Sequence, residues 1–124
     1  MQKFIVEGGV NLSGSITPSG NKNESLPVLA ASLLAKKPVI IHNVPEILDI
    51  SIMKDLLSGV GALIKQYDKH SYQIDSGNIH SNNPDQENAI RIRGSFLLAG
   101  PLLARKKAVV LPSPGGDRIG LRPV

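Results

Sequence analysis

Between Glu24 and Ala35 the apolar residues Leu26, Leu29, Ala30, Leu33 and Leu34 recur at helical spacing, and the next apolar segment, PVIIHNVP at 38–45, is continuous. A helix with one apolar face, followed after a short turn by a strand of buried type, constrains the chain to helices layered on a sheet. Asn23 is the predicted N-cap of this helix, and Pro27 lies close enough to its start to be tolerated. Lys36 and Lys37 complement the negative end of its dipole.

The remaining segments extend the alternation. KFIVEG and VNLSGSIT, separated by Gly8-Gly9, are predicted to form an opening hairpin. A second helix is predicted from Asp49, carrying Ile52, Met53, Leu56, Leu57 and Val60, with Gly59 and Gly61 marking its end. ALIKQYD and SYQIDSG form a strand pair, and HSNNPDQEN is predicted to be a surface loop. A third helix from about Arg93 to Ala104 and a last strand, KAVVLPS, lead into the closing loop LPSPGGDRIGLRPV. The order ββ, α, β, α, ββ, α, β defines an α/β fold of α+β type, with no linker or low-complexity segment dividing it.

Composition narrows the function classes. With two Phe, two Tyr and no Trp, the core has to be built from Leu, Ile, Val and Ala. The absence of cysteine excludes disulfides and thiolate metal sites. No apolar run approaches the roughly 18 residues that a membrane helix needs, and the N-terminus lacks a signal-like apolar core. A soluble, cytoplasmic protein without membrane partners is expected. Residues 1–90 carry seven basic and nine acidic residues, whereas 91–124 carry seven basic residues and the single acid Asp117. That basic quarter fits a solvated face, an anionic small-molecule site or a nucleic-acid surface, and the scarcity of aromatic residues for base stacking disfavours nucleic acid.

Three constellations could carry chemistry. SGNKN, at 19–23, sets Lys22 and Asn23 at a helix start, where free N–H groups and an ammonium suit a phosphate or carboxylate. The same residues also make an ordinary turn, cap and exposed lysine, and they lack P-loop spacing. Arg93 opens the third helix, either as an anion ligand or as an exposed arginine. Asp117 sits among Gly115, Gly116 and Gly120 and between Arg118 and Arg122. It is either a turn residue or an acid, and its arginine neighbours favour the ionised form that a proton donor has to avoid. His42, His70 and His80 lack metal-ligand spacing, so no metal site is assigned.

Taken together, FIVEGGVNLSGSITPSGNKNESLPVLAASLLA (4–35), VIIHNVPEILDI (39–50), RIRGSFLLAGPLLAR (91–105) and LPSPGGDRIGLRPV (111–124) resemble the N-terminal part of the UDP-N-acetylglucosamine 1-carboxyvinyltransferases. These are the enolpyruvyl transferases of the first committed step of peptidoglycan synthesis. The resemblance covers essentially the whole chain.

It implies a fold of two domains, each of three βαβαββ units in an inside-out α/β barrel. Residues 1–21 would belong to the domain completed by a C-terminal half, and residues 22–124 would begin the other. It implies that Lys22 and Asn23 contact phosphoenolpyruvate, with Lys22 also taking part in the chemistry. Arg93, Arg122, Pro123 and Val124 would contact UDP-N-acetylglucosamine. Asp117 stands where most members carry a cysteine proton donor. Members with aspartate there are insensitive to fosfomycin, which alkylates the cysteine.

The implied reaction uses neither metal nor organic cofactor, and bound phosphate and carboxylate would favour a protonated Asp117. By the same resemblance the remainder of the polypeptide is needed to complete the site, and the 124 residues alone are expected to be inactive. Two other readings are a non-catalytic UDP-sugar-binding relative and the shikimate-pathway enolpyruvyl transferase. The usual GDKSIS of the latter is replaced here by GNKNES.

Overall fold

The computed structural model of the chain describes residues 2–116 and Gly120. Helix α1 spans Lys22–Ala31 and tightens into a 3₁₀ turn at Ser32–Leu34. Strand β1 (Val39–Ile41), helix α2 (Leu48–Gly59), and strands β2 (Leu63–Asp68) and β3 (Ser71–Asp75) follow. A four-residue helix α3 (Gln86–Ala89), a 3₁₀ helix (Arg93–Leu98) and helix α4 (Ala99–Lys106) complete the regular structure of the described residues.

The sheet is antiparallel throughout, in the order β1-β3-β2, with Val39 and Ile64 both opposite Ile74 and Ile41 opposite Tyr72. Because side chains alternate across a strand, this register puts Val39, Ile41, Ile64, Tyr72 and Ile74 on one face. That face joins the core with Leu29 and Leu33 of the first helical segment and Met53, Leu56 and Leu57 of α2. Leu98 and Leu102 close the core, and α1 packs against both α2 and the 3₁₀ helix at 93–98. Burying one apolar layer between helices and a single sheet face is the outcome that the helix-then-strand spacing dictates.

Four local expectations are corrected. The N-cap of α1 is Asn21, with extended backbone (φ −93, ψ 132), and its side chain accepts from the Asn23 N–H at 2.7 Å; Asn23 lies in the first turn. The polar run 80–88 holds α3, started by Asp85, whose carboxylate accepts from the Asn88 N–H at 2.7 Å. The third helix begins as 3₁₀ and ends two residues later than expected, at Lys106. Residues 107–113 contain no strand: they meet neither sheet edge, and the Val110 N–H instead donates to the Asn82 carbonyl at 3.0 Å.

Residues 2–21 contain no strand either, so the opening hairpin does not form here. Phe4, Val6, Leu12 and Ile16 are each at least 89% exposed, which supplies the physical reason. A two-stranded hairpin with no layer to bury its apolar side chains is marginal in water.

Candidate functional site

Two close backbone approaches arrange the site. At Gly20 a Cβ would run into the Asn43 carbonyl and come within 3.0 Å of the Pro45 ring. Glycine therefore lets the chain entering α1 lie directly on the β1–α2 connection. Asn43 accommodates the approach in the left-handed region, at φ 57, which asparagine tolerates. The start of α1 is thereby brought beside the start of α2.

Lys22, the first residue of α1, pairs there with Asp49 in the first turn of α2, Nζ to Oδ2 at 2.7 Å. The lysine side chain is 50% exposed and the aspartate 29%, so the ammonium is held by a carboxylate while the side chain stays half-open to solvent. Asn23 is exposed next to it. Asp49 escaped the sequence reading because nothing local links it to a lysine on another element. The only available signal was an acid placed in a helix's first turn.

The second approach involves the closing loop. A Cβ on Gly115 would collide with the Ile90 carbonyl, and one on Gly116, at φ 91, would lie 3.3 Å from the Arg93 nitrogen. The loop thus rests on the turn that leads into the 3₁₀ helix, against the backbone of half-buried Arg93. That turn is fixed from inside by buried Ser95, whose hydroxyl lies 2.7 Å from the Ala89 carbonyl and 2.8 Å from that of Ile92. A Cβ at Gly94 would lie 3.0 Å from a Leu26 methyl, so the turn also sits against α1 one helical turn beyond Lys22.

Lys22, Asn23 and Arg93 therefore lie on two elements in direct contact. Asp117, Arg122, Pro123 and Val124 lie outside the described residues, and Gly116 is the last position before Asp117 that the structure describes.

The histidines are tied to backbone and hydroxyl groups. His70 Nδ1 donates to the Val44 carbonyl at 3.0 Å while the Val44 N–H donates to the His70 carbonyl at 2.9 Å. His42 Nδ1 lies 3.0 Å from the Ser71 hydroxyl. Among the described residues no group of three His, Asp or Glu side chains could hold a metal ion, and no helix is long and apolar enough to cross a membrane.

The UDP-N-acetylglucosamine 1-carboxyvinyltransferase of Bradyrhizobium diazoefficiens is 50% identical over 120 residues, covering 97% of this chain and 28% of that protein. The enzyme of the same name from Treponema denticola is 39% identical over 122 residues, covering 98% of this chain and 29% of its own length. The chain thus spans less than a third of these relatives. Among solved structures, the enolpyruvyl transferase NikO from Streptomyces tendae superposes with a TM-score of 0.67 at 29% identity, over 80% of this chain and 23% of that one. The sequence model for EPSP synthase (3-phosphoshikimate 1-carboxyvinyltransferase) matches residues 6–124. With the mixed helix-and-sheet architecture in agreement, the chain belongs to the EPSP synthase family of enolpyruvyl transferases.

Proposed function

We propose that this chain is the N-terminal part of a UDP-N-acetylglucosamine 1-carboxyvinyltransferase, acting in the cytoplasm in cell-wall synthesis and insensitive to fosfomycin through Asp117. The two curated relatives carry that name, which favours UDP-N-acetylglucosamine over a shikimate substrate. In the reaction, the 3′-hydroxyl of UDP-N-acetylglucosamine adds to C2 of phosphoenolpyruvate and loses its proton. C3 gains a proton from Asp117 and becomes a methyl group in the tetrahedral intermediate; C3 then loses a proton as inorganic phosphate leaves C2 and the enol ether forms. Lys22 and Asn23 bind phosphoenolpyruvate, and Lys22 stabilises its developing charge. Arg93, Arg122, Pro123 and Val124 hold the UDP-sugar.

The observation that carries this reading is the seat of Gly115 and Gly116 on residues 90–93, in contact with α1. It keeps the residue preceding Asp117 beside Arg93, at the start of a 3₁₀ segment that packs against α1. A proton donor is useful only when held in the same cleft as the groups that bind the substrate. The remainder of the polypeptide supplies the opposite wall, and residues 1–21 pack with it as part of the second domain.

The test is phosphate release from phosphoenolpyruvate and UDP-N-acetylglucosamine in deuterated water, for the complete polypeptide and for the 124-residue chain. The complete protein should release phosphate and place deuterium in the enolpyruvyl methylene, and the 124 residues alone should not turn over. UDP-sugar binding without deuterium incorporation would leave a non-catalytic binder.

A further inference from the structure

We infer that Asp49 is a positioning residue for Lys22, setting the direction of its ammonium toward the incoming anion; this rests on the reading above, in which Lys22 serves phosphoenolpyruvate. Lysine has a long, flexible stem, and at the first position of a helix its charge is opposed by the dipole. Left alone, it would swing away from α1 into solvent. Asp49 has the opposite preference, since a carboxylate in the first turn of α2 is favoured, and the N-cap of α2, Ile47, offers no side-chain cap.

The seating of Gly20 on Asn43 and Pro45 brings the two helix starts together, and the 2.7 Å contact follows. An ammonium has three donors. Asp49 takes one, and two donors remain for a ligand on a lysine side chain that is half-exposed. A phosphate or carboxylate arriving there meets a cation already oriented, which is the condition for charge stabilisation without reorganisation.

The pair could also act as a competitor, with Asp49 occupying the lysine until substrate displaces it. The two roles predict opposite kinetics. If Asp49 positions Lys22, Asp49→Asn leaves the site more positive, so the KM for phosphoenolpyruvate stays within about threefold while kcat falls about tenfold or more. If it competes, Asp49→Asn lowers KM and leaves kcat unchanged.

The experiment is a double-mutant cycle on the complete polypeptide, with Lys22→Met, Asp49→Asn and the pair, reading kcat and KM separately. Because Asp49 acts through Lys22, Asp49→Asn should slow the parent but have no further effect on Lys22→Met, and Asp49→Glu should recover at least half of the loss on a logarithmic scale. Losses that multiply in the double variant, a lowered KM at unchanged kcat, or a wild-type Asp49→Asn would each overturn the inference. Should Asp49→Asn fail to fold, Asp49→Glu takes its place in the cycle, and any effect it has on kcat must vanish with Lys22→Met. A Lys22→Met protein turning over at the parent rate would instead refute the assignment of Lys22 to phosphoenolpyruvate.

Discussion

Gly115 lies so close to the Ile90 carbonyl that no side chain fits between them. The approach presses the closing loop onto the turn carrying Arg93, so a methyl group there has to push the loop away. Gly115→Ala should cost about 1–3 kcal/mol of overpacking, relieved by movement of the loop. In the complete polypeptide kcat should fall at least about tenfold. Gly8→Ala, where nothing lies within 4 Å, serves as the control. Backbone chemical shifts of Ile90 and Arg93 should move in the Gly115 variant alone, and unmoved shifts would contradict the seating.

The two asparagines of SGNKN have separate tasks. Asn21 caps α1, so Asn21→Ala should lower stability by about 1 kcal/mol in urea denaturation. Asn23 is exposed within the first turn, so Asn23→Ala should alter stability by less than about 0.5 kcal/mol. It should nonetheless reduce kcat/KM for phosphoenolpyruvate. Equal stability losses for the two variants would count against Asn21 as the cap.

Acid sensitivity has an identifiable contributor at the β2–β3 turn. Asp68 accepts a 2.7 Å hydrogen bond from the His70 N–H; this bond, with help from the Ser71 hydroxyl and the His42 charge, holds its carboxyl below the usual range. A carboxyl lowered in the folded state stabilises it fully above the unfolded value, about pH 3.9, and that contribution disappears as pH falls through the lowered value. An NMR titration should find the Asp68 carboxyl below about 3.9, and Asp68→Asn should flatten the acid side of the stability profile. A midpoint at or above the ordinary value would rule this out.

Lys107 ends α4 in the left-handed region, at φ 63, with its N–H donating to the Leu103 carbonyl at 2.8 Å. Glycine adopts that conformation without the Cβ penalty, so Lys107→Gly should stabilise the chain by about 1 kcal/mol. Lys106→Gly, inside the helix, should destabilise it by a similar amount. Thermal melts of the two variants in one buffer decide between them, and a shift of the same sign in both would refute the account.

Local pattern was enough for elements whose side chains meet the core at a regular period. Leu26, Leu29 and Leu33 announce α1 and its 3₁₀ end, Met53, Leu56 and Leu57 announce α2, and the β2–β3 pair follows from two short β-rich runs. Elements made by polar capping were harder, since α3 depends on one Asp85 carboxylate and buries only Ala89. Asn21 was legible in principle, because Glu24 stands three residues after it at capping-box spacing. The segments KFIVEG, VNLSGSIT and KAVVLPS have strand-like sequences but pair with no strand among the described residues, and a strand is defined by its neighbour more than by its own residues.

The site was legible in the same uneven way. Lys22, Asn23 and Arg93 stood out by chemistry, whereas Asp49 and Ser95 emerge only once distant segments are packed together.

The strand order has a consequence for how this chain is made. β3 is central, so β1 has no partner when it leaves the ribosome; Val39 waits for Ile74, while Ile64 meets the same residue through a tight local turn. The β2–β3 hairpin is therefore the unit able to form first, with β1 joining it through a long-range closure. During that interval VII, at 39–41, is an unpaired, β-branched edge. Protection of the nascent segment from other chains has to come from the adjoining α1 and α2, which are synthesised around it.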